Sequence, residues 1–200
     1  VLDPDLRPNW ESSGAIPGSI EIDRDTGELR LWYSGHNGDE WSIGTAVQDE
    51  GGSFRRDTLF EVGSPGDWDD TSVRDPWVVT GDDEDGNPTT WLFYAGFDGD
   101  QWQAGLAVRS GSSGEFERSW SERTGTHRPI LDSTGGMFHP DGLVRPVFLP
   151  STNGWQGWFC GYVGEEYRVG TASGLTADRL HKTPERPTIG DNLSFSTERG

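Results

Sequence analysis

Two charged residues stand directly before a proline and an apolar run in the segment SVRDPWVV, residues 72–79. Arg74 and Asp75 occupy positions where most chains carry neutral turn residues. A third charged residue, Arg145, precedes Pro146 further along the chain. A guanidinium can pair with a carboxylate, or it can bind the hydroxyl or carboxylate group of a ligand. Two interpretations of Asp75 are open: an exposed turn with a local ion pair, or part of a functional site.

Aromatic and polar residues lie close to these charged segments. Trp68 and Asp69 precede the first segment, and His139 and Asp141 precede the second. We expect the loops that carry them to line the mouth of one shared pocket. Trp77 follows the proline of the first segment, where it can stack on a ligand or pack in the core. Both interpretations of Trp77 are open.

A hairpin motif recurs three times and provides the elements that must position these residues. It reads WYSGHNGDEWSIGTA at 32–46, FYAGFDGDQWQAGLA at 93–107 and WFCGYVGEEYRVGTA at 158–172, with offsets of 61 and 65 residues. The aromatic pair that opens each copy suits a strand packed on both faces. The central glycines supply positive φ at the hairpin tips: Gly38, Gly99 and Gly164.

Each copy extends in both directions. A strand that opens with proline precedes the hairpin, and a short strand around Phe54, Phe116 or Leu180 follows it. Four short strands in tandem units form the blades of a β-propeller. The sequence therefore predicts an all-β fold, a partial β-propeller of four-stranded antiparallel blades spanning residues 1–200. The blade units are approximately 10–65, 66–135 and 136–185.

Three blades are too few to close a ring, because propellers have about four to eight. Residues 186–200 open with a segment similar to the join before the third unit, so they predict the start of a further blade. We expect the missing blades to come from the same chain or from a partner.

Comparison of the units separates scaffold residues from site residues. Ile16, Asp75 and Arg145 occupy the same position before the proline that opens the innermost strand. Innermost strands surround the axis of a propeller, so their side chains converge on an axial pocket. Since the first unit has an apolar residue there, the scaffold does not require charge. We therefore predict that Asp75 and Arg145 belong to a site.

Composition limits the partners of the chain. The formal net charge of −18 argues against nucleic acid, whose phosphates would be repelled. No apolar run is long enough to span a membrane, and the single cysteine and the spacing of the histidines support no metal or cofactor site. The acid-rich composition with one lysine is typical of a halophile, or of a GC-rich genome. We expect a soluble protein, and both a cytoplasmic and a secreted location are open.

The sequence resembles the five-bladed propellers of the arabinanase, levansucrase and invertase superfamily, which includes glycoside hydrolase families 43, 32 and 68. The resemblance rests on Val73-Arg74-Asp75-Pro76, on Trp68-Asp69 before it, and on the repeated hairpins. It covers essentially the whole chain as an organisation of blades. It implies that about three blades of a five-bladed ring are present here.

The resemblance also implies a chemistry in which three carboxyl groups flank an oxocarbenium-like transition state. Asp75 matches the carboxylate that stabilises this state. The nucleophile motif is absent, and its blade would lie upstream of Val1. No glutamate stands where the family carries its general acid, and Asp141 is the candidate we select. The expected substrate-binding residues are Arg74, Arg145, Trp68, Asp69, Trp77 and His139.

Three functions are consistent with the sequence. The first is an enzyme that acts on a glycan or oligosaccharide in the axial pocket. The second is a non-catalytic carbohydrate-binding propeller that has lost the acid. The third is an interaction module, because propellers have many unrelated functions and the fold does not determine which one.

Overall fold

A computed structural model of the chain describes residues 8–23, 26–111, 114–133, 141–164 and 166–183. These residues form β-strands and one short 3₁₀ helix, Asn9–Glu11, so the predicted all-β class is confirmed. In this part of the chain, no helix has the length and apolar character needed to cross a membrane.

The first sheet has four antiparallel strands that lie in chain order. They are β1 (Gly14–Ile22), β2 (Leu29–His36), β3 (Trp41–Gln48) and β4 (Phe54–Phe60). The loop between β2 and β3 contains Gly38, whose φ is +116°. Glycine adopts this conformation without the steric penalty of a Cβ, so the first hairpin turns where the repeat predicts it.

The second and third sheets repeat this order. The second contains β5 (Ser72–Asp82), β6 (Pro88–Phe97), β7 (Trp102–Ser110) and β8 (Glu117–Arg118). Two short strands, β9 (Trp120–Ser121) and β10 (Thr126–His127), pair with each other. The third sheet contains β11 (Gly142–Ser151), β12 (Gly154–Val163), β13 (Glu166–Gly174) and β14 (His181–Thr183). One parallel pair, Gly142 with Trp102, joins the third sheet to the second.

Apolar side chains fill the space between successive sheets. The layer between the first and second sheets contains the buried residues Trp32, Ile43, Val73 and Val78. The layer between the second and third sheets contains the buried residues Phe93, Leu106, Leu143 and Phe148. The sheets therefore pack face to face, and each layer buries the aromatic residue that opens the hairpin of the preceding sheet.

The paired glycines of the first hairpin and of the second hairpin allow a tryptophan to lie across each of them. A Cβ on Gly44 would lie 2.3 Å from the ring of Trp10, and a Cβ on Gly105 would lie 2.5 Å from the ring of Trp68. Neither position has room for a side chain. The close neighbour of these glycines is thus a tryptophan from the preceding loop.

The predicted four-stranded antiparallel sheets are confirmed, although two of the last strands begin one residue later than expected. Phe54 begins β4, but Phe116 and Leu180 lie one residue before β8 and β14. The closure of a ring, the number of blades and the boundaries of the units stay predictions. Residues 186–200, where the sequence predicts a further blade, lie outside the described residues.

Candidate functional site

The opening strands β1, β5 and β11 line an open cleft of about 320 Å³. Ile16, Asp75 and Arg145 all face this cleft, together with the proline that follows each of them. Arg74 is the third charged residue in the lining, and the other lining residues are apolar residues, aromatic residues and a glycine. The structure thus brings together the residues that precede proline in the three opening strands.

Asp75 and Arg145 share an unusual backbone conformation. Their φ angles are +56° and +53°, and they are the only non-glycine residues of the described ranges with positive φ. The β5–β6 register shifts between Arg74 and Trp77, and the β11–β12 register shifts at the equivalent place. A bulge of this kind bends the strand and re-aims a side chain. Because the conformation is strained, such residues cluster at functional sites.

Asp75 connects all three sheets by hydrogen bonds. Its backbone N–H donates to the hydroxyl of Ser34 in the first sheet over 2.9 Å. Its Oδ2 accepts a hydrogen bond of 3.2 Å from the backbone N–H of Arg145 in the third sheet. The Nε of Arg74 lies 3.5 Å from the same oxygen. The carboxylate is therefore held as an acceptor between two sheets.

The hairpin repeat explains why the carboxylate of Asp75 accepts the N–H of Arg145. Ser34, Ala95 and Cys160 occupy the same column of the three hairpins. In the first hairpin, the serine hydroxyl accepts the N–H of Asp75. In the second hairpin, the side chain of Ala95 has no hydrogen-bond acceptor. The N–H of Arg145 donates to the carboxylate of Asp75 instead.

The guanidinium of Arg74 lies among aromatic rings. Its Cζ is 4.1 Å from the ring centroid of Trp102 and 5.7 Å from that of Trp41. Trp41 also lines the cleft, as does Tyr167 of the third sheet. These aromatic residues were not among the expected substrate-binding residues. The available signal was their shared column in the repeat, at the first or second position of the third strand of each sheet.

Trp77 lies between the cleft and the core, so stacking on a ligand stays a prediction. It lines the cleft, and it also packs against the core between the second and third sheets. Its indole Nε1 donates a 2.9 Å hydrogen bond to the backbone carbonyl of Phe148. The ring is therefore fixed in place as one wall of the cleft.

Trp68 and Asp69 pack against the hairpin of the second sheet and do not line the cleft. Asp69 is fully buried, and its Oδ2 accepts hydrogen bonds of 2.8 Å from both the Tyr94 hydroxyl and the Arg118 Nε. Trp68 stacks on Tyr94 with ring centroids 5.6 Å apart. Burial and the negative charge of Asp69 raise the pKa of Tyr94 well above its usual value. We interpret both residues as scaffold.

The first sheet contains the same arrangement, which supports this interpretation. Glu11 is buried and pairs with Arg56 of β4. Burial, followed by the proximity of the negatively charged Glu11, raises the pKa of Tyr33, the counterpart of Tyr94. The loop residue Trp10 lies near Tyr33, with ring centroids 5.5 Å apart. An acid, a tyrosine and an arginine thus connect the loop, β2 and β4.

Asp141 is exposed and does not line the cleft. Its Oδ2 accepts a hydrogen bond from the backbone N–H of Gly164, at the tip of the β12–β13 hairpin. Its own N–H donates to the carbonyl of Tyr162 over 3.3 Å. His139 lies outside the described residues, so its place in the site stays a prediction.

Cys160 lies near the charged residues of the cleft. Burial raises the pKa of its thiol, the positive charge of Arg145 opposes this shift, and the negative charge of Asp75 adds to it. Within the described ranges, no three His, Cys, Asp or Glu side chains are grouped so that they could hold a metal ion.

No protein-family model matches the sequence, and no curated protein matches it. Solved structures are similar in fold. A glycoside hydrolase is 13% identical with a TM-score of 0.68, over 93% of this chain and 60% of its own. Zg3597, a family 117 glycoside hydrolase from the marine bacterium Zobellia galactanivorans, is 16% identical with a TM-score of 0.63, over 90% and 48%. A fructofuranosidase from Schwanniomyces occidentalis complexed with fructose is 10% identical with a TM-score of 0.61, over 84% and 33%.

At these identities the likeness shows the fold alone. The chain has the fold of these glycoside hydrolases, so the predicted resemblance to the propeller glycosidases is confirmed at the level of the fold. The chain spans 60% of the length of the first structure and less of the other two.

Proposed function

We propose that the chain is part of a glycoside hydrolase-like propeller that acts on a glycan or oligosaccharide in the cleft between β1, β5 and β11. The observation that carries this proposal is the position of Asp75. Its backbone is strained, and its carboxylate is held between two sheets in a cleft with aromatic walls. The fold supports it, because the similar structures are glycoside hydrolases and one of them is complexed with fructose.

The walls of the cleft suit a sugar ring. Trp41, Trp77 and Tyr167 come from the three different sheets. Ligand sites typically combine apolar and aromatic walls with a few fixed polar groups that orient the ligand. The rings can cover the apolar C–H face of a sugar, and Asp75 can accept hydrogen bonds from its hydroxyl groups.

Asp75 is suited to stabilise positive charge. Cleavage of a glycosidic bond develops an oxocarbenium-like charge on the sugar, and a nearby carboxylate lowers its energy. The contacts with Arg145 N–H and Arg74 fix the carboxylate before the substrate binds. A preorganised charge of this kind does not have to reorganise during the reaction.

Asp75 is the only carboxyl residue among the described residues that line the cleft. The nucleophile and the general acid therefore stay unassigned, and Asp141 remains a candidate acid by sequence alone. The same observation favours the second candidate function, a propeller that binds carbohydrate without cleaving it.

The substitution Asp75→Asn tests the proposal, because asparagine keeps an oxygen that can accept the N–H of Arg145. We expect kcat/KM on aryl furanosides or pyranosides to fall by about a hundredfold or more, since a preorganised charge is lost. The matched control is Asp85→Asn, at an exposed hairpin tip. Circular dichroism and thermal unfolding verify that both variants fold.

Three other outcomes distinguish the alternatives. Equal turnover by the wild type and Asp75→Asn would contradict the role of Asp75. Oligosaccharide binding without turnover by the wild type would support the non-catalytic candidate. An absence of both binding and turnover would overturn the proposed function.

A further inference from the structure

The cleft carries an excess of positive charge. Arg74, Asp75 and Arg145 are its charged lining residues, which gives two positive charges and one negative charge. Oδ2 of Asp75 faces the Nε of Arg74 and the backbone N–H of Arg145. The side chain of Arg145 is exposed in the cleft and has no ion pair within the described residues. A positive charge is therefore available to a ligand.

An arginine without an acidic partner is uncommon in this chain. Asp and Glu number 34 against 16 basic residues. The described arginines that form ion pairs are Arg30, Arg56, Arg74, Arg109, Arg118, Arg128, Arg168 and Arg179. Within the same ranges, Arg55, Arg123 and Arg145 have no ion pair. Of these three, Arg145 alone lines the cleft.

The backbone holds Arg145 in its position. Its φ of +53° is strained for a residue with a side chain. The hydrogen bond from its N–H to the carboxylate of Asp75 stabilises this conformation. The hydrogen bond therefore anchors the main chain from which the Arg145 side chain extends, and Arg145 lines the cleft.

We propose that the sugar bound in this cleft carries an anionic group, a carboxylate or a sulfate ester, and that Arg145 recognises it. This inference rests on the proposed carbohydrate function. A guanidinium presents a planar fork of N–H donors that matches two oxygens of such a group. A neutral sugar would shield the charge of Arg145 from water without providing a counter-charge, which is unfavourable. The aromatic walls bind the ring, and Arg145 selects among rings by charge.

A matched pair of ligands tests this inference. The probes are disaccharides that contain a uronic acid and the same disaccharides after reduction of the carboxyl group to an alcohol. Sulfated disaccharides, sodium acetate and sodium sulfate complete the set, so that carboxylate, sulfate ester and free anion are distinguished. Affinities are measured by calorimetry or NMR titration of the full chain at constant ionic strength.

We expect the wild type to bind one of the two anionic sugars at least about tenfold more tightly than its neutral counterpart, as one charged hydrogen-bonded contact provides. Arg145→Gln should remove this preference, because glutamine carries no positive charge. Arg145→Lys should restore part of it, because lysine keeps the charge but not the planar fork. Arg55→Gln, which removes an exposed unpaired arginine outside the cleft, is the matched control and should behave as the wild type.

The remaining outcomes overturn the inference or its basis. Equal affinity of the wild type for the anionic and the neutral sugars would overturn it, as would a preference that persists in Arg145→Gln. Binding of acetate or sulfate alone, as tight as binding of the sugars, would overturn it in favour of a simple anion site. If folded protein binds no sugar of either kind, the proposed function fails together with the inference.

Discussion

The positive φ angles of Asp75 and Arg145 strain the backbone, which costs about 1–3 kcal/mol at each residue. The strain is sustained by hydrogen bonds from neighbouring sheets. Ser34 accepts the N–H of Asp75, and Asp75 accepts the N–H of Arg145. Each strained residue thus depends on a side chain of the preceding sheet.

The hydroxyl of Ser34 should contribute measurably to stability. Ser34 is buried, so Ser34→Ala would leave the N–H of Asp75 without its acceptor. We expect the free energy of unfolding to fall by about 1–3 kcal/mol, because an unsatisfied donor carries its full desolvation penalty. Urea denaturation provides the measurement, with the partly exposed Ser42→Ala on β3 as the control. Equal stability of the two variants would show that the N–H of Asp75 does not depend on Ser34.

The charged part of the site was predictable because the repeat provides an internal comparison. Asp75 and Arg145 differ from Ile16 at one column, and the structure places all three in the cleft. Trp68 and Asp69 could not be placed from sequence, since a polar residue next to a tryptophan suits a binding loop as well as a buried ion pair. Only the three-dimensional contacts of Asp69 with Tyr94 and Arg118 distinguish a buried ion pair from a binding loop.

At the scale of elements, a buried ion pair connects the first sheet and the second sheet each to the loop before it. In the second sheet, Asp69 bonds to Tyr94 of β6 and Arg118 of β8. β8 has only two residues and few ladder hydrogen bonds, so these side-chain contacts help to hold it. The third sheet has Phe159 and Lys182 in the corresponding columns.

Arg118 should therefore be important for the second sheet. Arg118→Met would leave the fully buried Asp69 without its positive partner, and we expect a loss of about 3–5 kcal/mol in unfolding free energy. Arg179→Met is the control, because Arg179 is 78% exposed and its ion pair of 3.9 Å is weak. Thermal and urea unfolding of both variants provide the comparison. A loss below about 1 kcal/mol for Arg118→Met would mean that Asp69 finds another partner.

The long strands were predictable, and the short ones were not. The hairpin strands carry aromatic pairs and tip glycines that repeat without a gap, so local chemistry specifies them. By contrast, β8, β9 and β10 contain two residues each. Strands this short have no alternation to detect, and β8 lies where Arg118 bonds to the buried Asp69.

At the scale of the whole molecule, the third sheet exposes a face whose counterpart is buried in the first and second sheets. Trp158 is 44% exposed, whereas Trp32 and Phe93, in the same column, are 3% and 0% exposed. The second sheet covers Trp32, and the third covers Phe93. No sheet covers Trp158 among the described residues.

This difference predicts unequal effects at equivalent positions. Phe93→Ala should lower the unfolding free energy by about 3–5 kcal/mol, because it leaves a cavity between two sheets. Trp158→Ala should lower it by only about 1–2 kcal/mol, because much of the ring already contacts water. Chemical denaturation with size-exclusion chromatography measures both. An equally large effect at Trp158 would indicate that another protein surface covers this face.

The junctions between the sheets also differ from the ladders within them. One main-chain pair joins the second and third sheets, and serine hydroxyls provide hydrogen bonds between the first and second. A ladder can shift only by whole residues, whereas side-chain contacts tolerate small changes in length. We therefore expect small changes in the angle between neighbouring sheets to alter the width of the cleft while every strand keeps its pairing.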